Sequence, residues 1–320
     1  MPDHHPIAAA HIKPYSSDIR FHSRTTRHVT LKMTGQGRRI QTPPRPTTPH
    51  DPILASHPVP QRRDFQIRSF GPGTAIAKAS SDADPMQRRH DFLDEIDRAA
   101  DANPPDGLRI TNSSRELLDV IAECEAVDYR DDRTDTTWDL TWGFHVFLTD
   151  YSQLTEELLP RAMENLARVQ QRNPRPGGDP PDVYAQELAR RFRVDLVHDQ
   201  EALQGASFDR VRENFRALVR KLDLSDDDEE PFPPHPRYSI CFALDRSQIE
   251  GLANLAFSGD TIEDGKRFLK CKLPAVDIAW DRPEATTSSY CGVKDISVNL
   301  LKRAYLLLSD GCTTLEEFTE

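Results

Sequence analysis

Leu140-Thr141-Trp142-Gly143-Phe144-His145-Val146-Phe147-Leu148 puts Leu140, Trp142, Phe144, Val146 and Leu148 on one side of an extended chain, because successive strand side chains point to opposite faces. That side demands burial. Further along, Tyr238, Ile240, Phe242 and Leu244 alternate with Ser239, Cys241, Ala243 and Asp245 in a second strong strand. Between them, Ser152 is placed to cap a helix running to about Arg172 through Leu158, Met163, Leu166 and Val169, with Pro160 expected to kink or divide it. A helix over Val183–Phe192 and a short strand over Val194–His198 follow. Phe208–Leu224 then carries the cleanest amphipathic pattern, with Val211, Phe215, Leu218, Val219 and Leu222 on one face and Arg212, Glu213, Arg216 and Arg220 on the other.

Toward the carboxyl terminus, Ser247–Phe257 reads as a helix and Phe268–Trp280 as a long strand interrupted at Pro274, where an edge position or a bulge is expected. A last helix runs through Val298, Leu301, Ala304, Tyr305 and Leu308. Upstream of the first strand, Phe92, Ile96 and Ala99 open a helical segment. The capping box Ser113-Ser114-Arg115-Glu116 starts another, with Leu117, Leu118, Ile121 and Cys124 on one face. Strands alternating with helices in this way predict an α+β fold: about four strands, helices on one or both faces, and ferredoxin-like character.

Charge divides the chain. Residues 1–70 hold 11 Lys and Arg against 4 Asp and Glu, and the rest hold 30 against 48, so the overall net charge of −11 conceals a basic leader on an acidic body. Residues 1–85 show no sustained apolar period and carry Pro43-Pro44-Arg45-Pro46 and Pro58-Val59-Pro60, so a disordered leader is expected, rich in His and Pro. Residues 86–320 are read as one α+β domain. Asp226-Asp227-Asp228-Glu229-Glu230, followed by Pro231, marks an acidic, proline-rich solvated loop over 225–236. It lacks the ligand spacing and central glycine of a calcium loop.

Cys124, Cys241, Cys271, Cys291 and Cys312 are odd in number and widely spaced, which predicts reduced thiols in an intracellular compartment and no zinc framework. No apolar run is long enough to cross a bilayer, so a soluble protein without a membrane partner is expected. The N-terminus lacks the apolar core of a signal peptide. Asp3, Asp18 and the early Pro and His residues argue against a mitochondrial presequence, leaving the cytoplasm or nucleus. Basic residues within 20–45 can touch nucleic acid through charge, but without interleaved aromatics they argue against a specific nucleic-acid site.

Chemistry is sparse. No Gly-rich phosphate loop, nucleophile elbow or His-Glu-x-x-His occurs, so neither a cofactor nor a metal is predicted. Cys241 and His145 both fall opposite the main apolar stripe of their strands and can face each other, the minimal pair for a thiol nucleophile and its base. A small buried thiol beside a half-exposed histidine is the plainer reading. Asp245 and Asp277 read as strand-end acids. Trp138, Trp142, Tyr151, Trp280 and Tyr290 can line a pocket or a partner groove, although core packing accounts for Trp142 equally well.

Trp142-Gly143-Phe144 leading to Thr149-Asp150-Tyr151, Val211-Arg212-x-x-Phe215, and Arg237-Tyr238 with Cys241 and Asp245 together resemble a large group of filamentous-fungal proteins without an assigned activity. The resemblance spans about residues 138–310. His145 stands where an aliphatic residue is more usual in that group, and the aromatic-rich tail of many relatives is missing. The resemblance implies an α+β body and a fungal, intracellular setting, and it supplies no chemistry. Arg237 and Tyr238 join Trp142 and Tyr151 as candidate binding residues. The expected function is a non-enzymatic interaction or regulatory module with a protein partner, and the alternative is a small hydrolase or thiol-dependent enzyme using Cys241 with His145.

Overall fold

The computed structural model describes residues 65–75, 79–80, 84–102, 112–127, 137–138, 140–172, 182–221, 235–281, 290–309 and 313–319. Strand β1 (Gln66–Phe70) leads through a 3-10 turn at Pro72–Ala75 to β2 (Ala79–Ser80), helices α1 (Pro85–Ala102) and α2 (Asn112–Val127), and β3 (Thr137–Trp138). Next come β4 (His145–Leu148), α3 (Gln153–Gln171), α4 (Val183–Arg191), β5 (Val194–His198), α5 (Gln200–Leu203), α6 (Phe208–Lys221) and α7 (Pro236–Ser239). The chain continues with β6 (Ile240–Leu244), α8 (Arg246–Ala253), α9 (Thr261–Lys270), β7 (Lys272–Asp277), β8 (Val293–Ser297), a 3-10 turn at Val298–Leu300 and α10 (Leu301–Ser309). No helix among the described residues is long and apolar enough to cross a membrane.

The fold is α+β with a mixed six-stranded sheet ordered β1-β5-β4-β6-β7-β8, and β2 and β3 form a separate antiparallel ribbon. The expectation of about four strands is corrected: the four anticipated strands are β4, β5, β6 and β7, and β1 and β8 extend the sheet at its two edges. β1 lies inside the stretch assigned to the leader, and it pairs along its whole length with β5. Its first four residues are exposed, so it never needed the apolar alternation by which a strand is recognised. The acidic loop expected at 225–236 lies outside the described residues except for His235 and Pro236.

β4 runs parallel to both β5 and β6, whereas β1, β7 and β8 are antiparallel to their neighbours. Parallel neighbours need crossover helices on the faces of the sheet. The odd residues of β4 meet α6, with Phe215 centred 5.9 Å from the His145 ring and 5.8 Å from Phe147. Phe144, on the other side, lies 5.5 Å from Tyr305 of α10. Both faces of the central strand are therefore covered, and every residue from Thr141 to Thr149 is buried, the nominally polar side included.

Several local features explain the segment boundaries. Trp142 donates its indole N–H to the Leu188 carbonyl at 2.7 Å, and Gly143, at φ 138°, passes so close to β5 that an added Cβ would sit 1.9 Å from the Arg193 carbonyl oxygen. The strand begins two residues later. α3 runs unbroken through Pro160. Phe268 belongs to α9, whose Asp260 side chain caps it by accepting from the Ile262 and Glu263 amides, so the last long strand is shorter than expected. Pro274 sits inside β7, between two strands. Pairing of β7 with β6 stops at Ala275, the residue before Pro274 along that ladder, as a residue lacking an N–H dictates.

Candidate functional site

Among the described residues, the parallel part of the sheet carries a polar group at each end. At the amino ends of the strands, the register places Ser69, Asp195, His145 and Cys241 in one row across β1, β5, β4 and β6. Ser69 Oγ donates to Asp195 Oδ1 at 2.6 Å, Arg193 Nη2 reaches Oδ2 at 3.3 Å, and Arg237 of α7 forms a buried ion pair with the same oxygen. Arg237 Nη1 also donates to Thr141 Oγ1 at 3.1 Å. Burial would raise the Asp195 carboxyl, but Arg237, then Arg193, His145 and the Ser69 hydroxyl hold it well below the ordinary carboxylate range.

His145 and Cys241 are direct register partners, as neighbours within the sheet. They are not arranged as a nucleophile and its base. Neither ring nitrogen of His145 has a hydrogen-bond partner among the described residues. Burial pushes the Cys241 thiol well above its usual value, only partly opposed by Arg212. A catalytic thiol needs thiolate character and access. Cys241, at 0% exposure, has neither.

At the carboxyl ends of the strands lies a cleft of about 840 Å³. Its walls are the exit of β4 (Thr149, Asp150), the α5–α6 link (Gln204 to Phe208), the β6–α8 junction (Ala243, Asp245 to Gln248, and Glu250), and Pro274 of β7. The topology puts it there. The chain passes from β4 to β5 on one side and then returns past β4 to β6 on the other, so the direction of strand succession reverses at β4, and open sheets of this kind leave a crevice beyond the strand ends at such a reversal. Early termination of the β6–β7 ladder at Ala275 widens it on the Pro274 side.

The polar side chains of the cleft mostly serve the helices that start there. Asp245 accepts from the Ser247 and Gln248 amides at 2.6 and 3.3 Å while Gln248 Oε1 accepts from the Asp245 amide at 3.1 Å, a reciprocal capping box on α8. Asp150 accepts from Thr155 Oγ1 at 2.5 Å and from Ser152 Oγ at 2.8 Å, and these bonds, the Thr155 one foremost, hold its carboxyl below the ordinary range against the smaller effect of burial. Ser207 Oγ accepts from the Arg210 amide at 3.3 Å. Arg246 donates to Glu250 at 2.7 Å. Three carboxylates thus face one guanidinium, and the positive helix starts are already matched by side chains of the chain itself.

The residues proposed from sequence are dispersed. Trp142 is fully buried against Phe192, 4.8 Å between ring centres. Tyr151 borders the cleft only through its backbone: its N–H donates to Gln204 Oε1 at 2.9 Å, and its hydroxyl accepts the Asp199 amide at 2.9 Å. Burial pushes that phenol up to about 12. Arg237 is in the buried ion pair, and the half-buried Tyr238 ring packs on His235 at 4.9 Å. Trp280 lies under the Arg212 guanidinium at 4.6 Å, and Tyr290 donates to Asp277 at 3.3 Å. The Asp277 carboxyl is raised by burial. The Trp138 side chain lies outside the described residues. Sequence reasoning missed Gln204, Ser207, Arg246 and Glu250. The available signal was the run Asp245-Arg246-Ser247-Gln248, an N-cap sequence directly after a strand.

Comparison of the chain with family models, with curated proteins and with solved structures finds no match in any of the three.

Proposed function

We propose that the chain is a non-enzymatic interaction or regulatory module and that its binding surface is the cleft at the carboxyl ends of β4 and β6. One observation carries this reading: the cleft sits at the reversal point of the sheet, yet its carboxylates are already engaged within the chain, Asp150 by the Thr155 and Ser152 hydroxyls, Asp245 by the capping box of α8 and Glu250 by Arg246. Groups fixed in that way shape a surface and leave no base aimed at a reacting atom. The partner is a protein segment. A cytoplasmic or nuclear setting follows from the wide cysteine spacing, and a fungal one from the motif resemblance. The competing reading, a thiol-dependent hydrolase using Cys241 with His145, has their register pairing in its favour and the burial of both groups against it.

The test is a titration of ¹⁵N-labelled protein with a library of unstructured peptides of varied sequence. Binders are expected to move the amide resonances of Gly205–Phe208 and Ser247–Gln248. Shifts confined to other surfaces would remove the cleft from consideration. Turnover of fluorogenic esters that disappears in Cys241→Ser would reinstate the enzyme.

A further inference from the structure

His145 is 3% exposed, and both of its ring nitrogens are unpaired among the described residues. Interior polar groups are paired as a rule, since an unpaired one loses the hydrogen bonds it had in water, so an unpaired imidazole calls for a physical reason. Its neighbours supply one. From α6 comes the Phe215 ring, and from α7 come the Tyr238 ring, 6.0 Å away, and the charge of Arg237. β5 presents Asp195, the position just ahead of β5 presents Arg193, and β6 presents the Cys241 thiol, which also feels Arg212 of α6. His235, ahead of α7, packs on Tyr238. The carboxylate beside the ring is already engaged by Ser69, Arg193 and Arg237.

A neutral ring packs acceptably in this setting, whereas an imidazolium would be buried beside Arg237 and Arg193 with no acceptor of its own. Burial first, and then Arg237, push its pKa down to about 3. Charging the ring requires water, and α6, through Phe215, keeps water out on that face together with the Tyr238 ring of α7. The same helix reaches the cleft: Phe208, its first residue, and the preceding Ser207 form one wall, and Phe215, two turns later, covers His145.

We propose that His145 is an acid-sensitive latch on α6: the helix stays seated while the imidazole is neutral, and protonation unseats it together with its wall of the cleft. The device is independent of what the cleft binds. The test is hydrogen–deuterium exchange of the full chain at pH 7 and pH 5, corrected for intrinsic exchange, read on Val211–Val219 of α6 and on Ala304–Leu308 of α10, which packs on the opposite face. With the ring titrating near 6.5 when uncovered and near 3 when covered, the opening constant of α6 should rise roughly 25-fold, with α10 changing by less than about threefold. In His145→Leu, α6 should lose that dependence.

Equal acceleration of α6 and α10 would overturn the latch in favour of general acid unfolding, and so would a His145→Leu protein that keeps the wild-type pH response. Should that variant not fold, the His145 ring resonances of the wild type decide the matter. They should keep their neutral-form shifts at pH 5 in molecules whose α6 remains protected. A ring that titrates near pH 6.5 under a fully protected α6 sinks the proposal.

Discussion

His145 departs from the usual pairing of buried polar groups, and the consequence for stability can be measured. Leucine has a similar volume and no polar atom, so His145→Leu should stabilise the fold by about 1–3 kcal/mol in urea unfolding at pH 7. The pH dependence has a definite sign. A base whose folded pKa is depressed from 6.5 to about 3 leaves the unfolded chain binding more protons throughout that interval, so its neutral form supports the fold fully above pH 6.5 and the fold weakens as pH falls. The lowered Asp195 carboxyl acts later, stabilising above its ordinary value of 3.8 and losing that effect as pH falls below it. Between pH 6.5 and 4.5 the wild type should therefore lose about 2–3 kcal/mol more than His145→Leu, and parallel stability profiles for the two proteins would refute the assignment. The sequence set His145 and Cys241 each opposite the main apolar stripe of its own strand, so that the two can face each other. It could not show that α6 covers that face, nor that Asp195, on the preceding strand of the chain, completes the row. Burial and electrostatic neighbours come from tertiary contacts that no local pattern encodes.

Helices and strands were legible wherever large apolar residues recur at the element's own period. The pattern of Val211, Phe215, Leu218 and Val219 corresponds to the buried face of α6, and Tyr238–Leu244 contains β6. Legibility failed where the backbone departs from regular geometry. Trp142-Gly143-Phe144 reads as uninterrupted strand, yet the ladder proper starts at His145, because Gly143 takes a conformation that side chains resist and presses on Arg193. Gly143→Ala should thus cost more than about 3 kcal/mol, combining backbone strain with a clash against main chain that cannot rotate aside. Urea or thermal unfolding checks this, and a loss below about 1 kcal/mol would mean that the strand enters the sheet by a different path. Pro274 supplies the complementary lesson. The sequence marked it as a break in pairing, and only the topology shows that the break opens onto the cleft.

The outer limit of the sheet is where composition and architecture disagree most. Charge and proline content run continuously to about residue 85, but the pairing of β1 with β5 starts at Gln66 and continues through Phe70. An edge strand backed by one neighbour can be polar and short, so the boundary between leader and fold leaves little compositional trace. Packing fixes it instead. Just beyond β1, Gly73 donates its N–H to the Phe192 carbonyl at 2.9 Å and lies so close to the α4–β5 corner that an added Cβ would come within 2.8 Å of the Arg191 carbonyl oxygen. If residues 65–75 are part of the folded body, Gly73→Val should destabilise the full chain by about 2–4 kcal/mol, since the turn must pull away and uncover β5, and the amides of Val194–His198 should exchange faster. Unchanged stability with unchanged β5 protection would end the sheet at β5 and return residues 65–75 to the leader. It would also detach Ser69 from Asp195, leaving the polar row to β5, β4 and β6 alone.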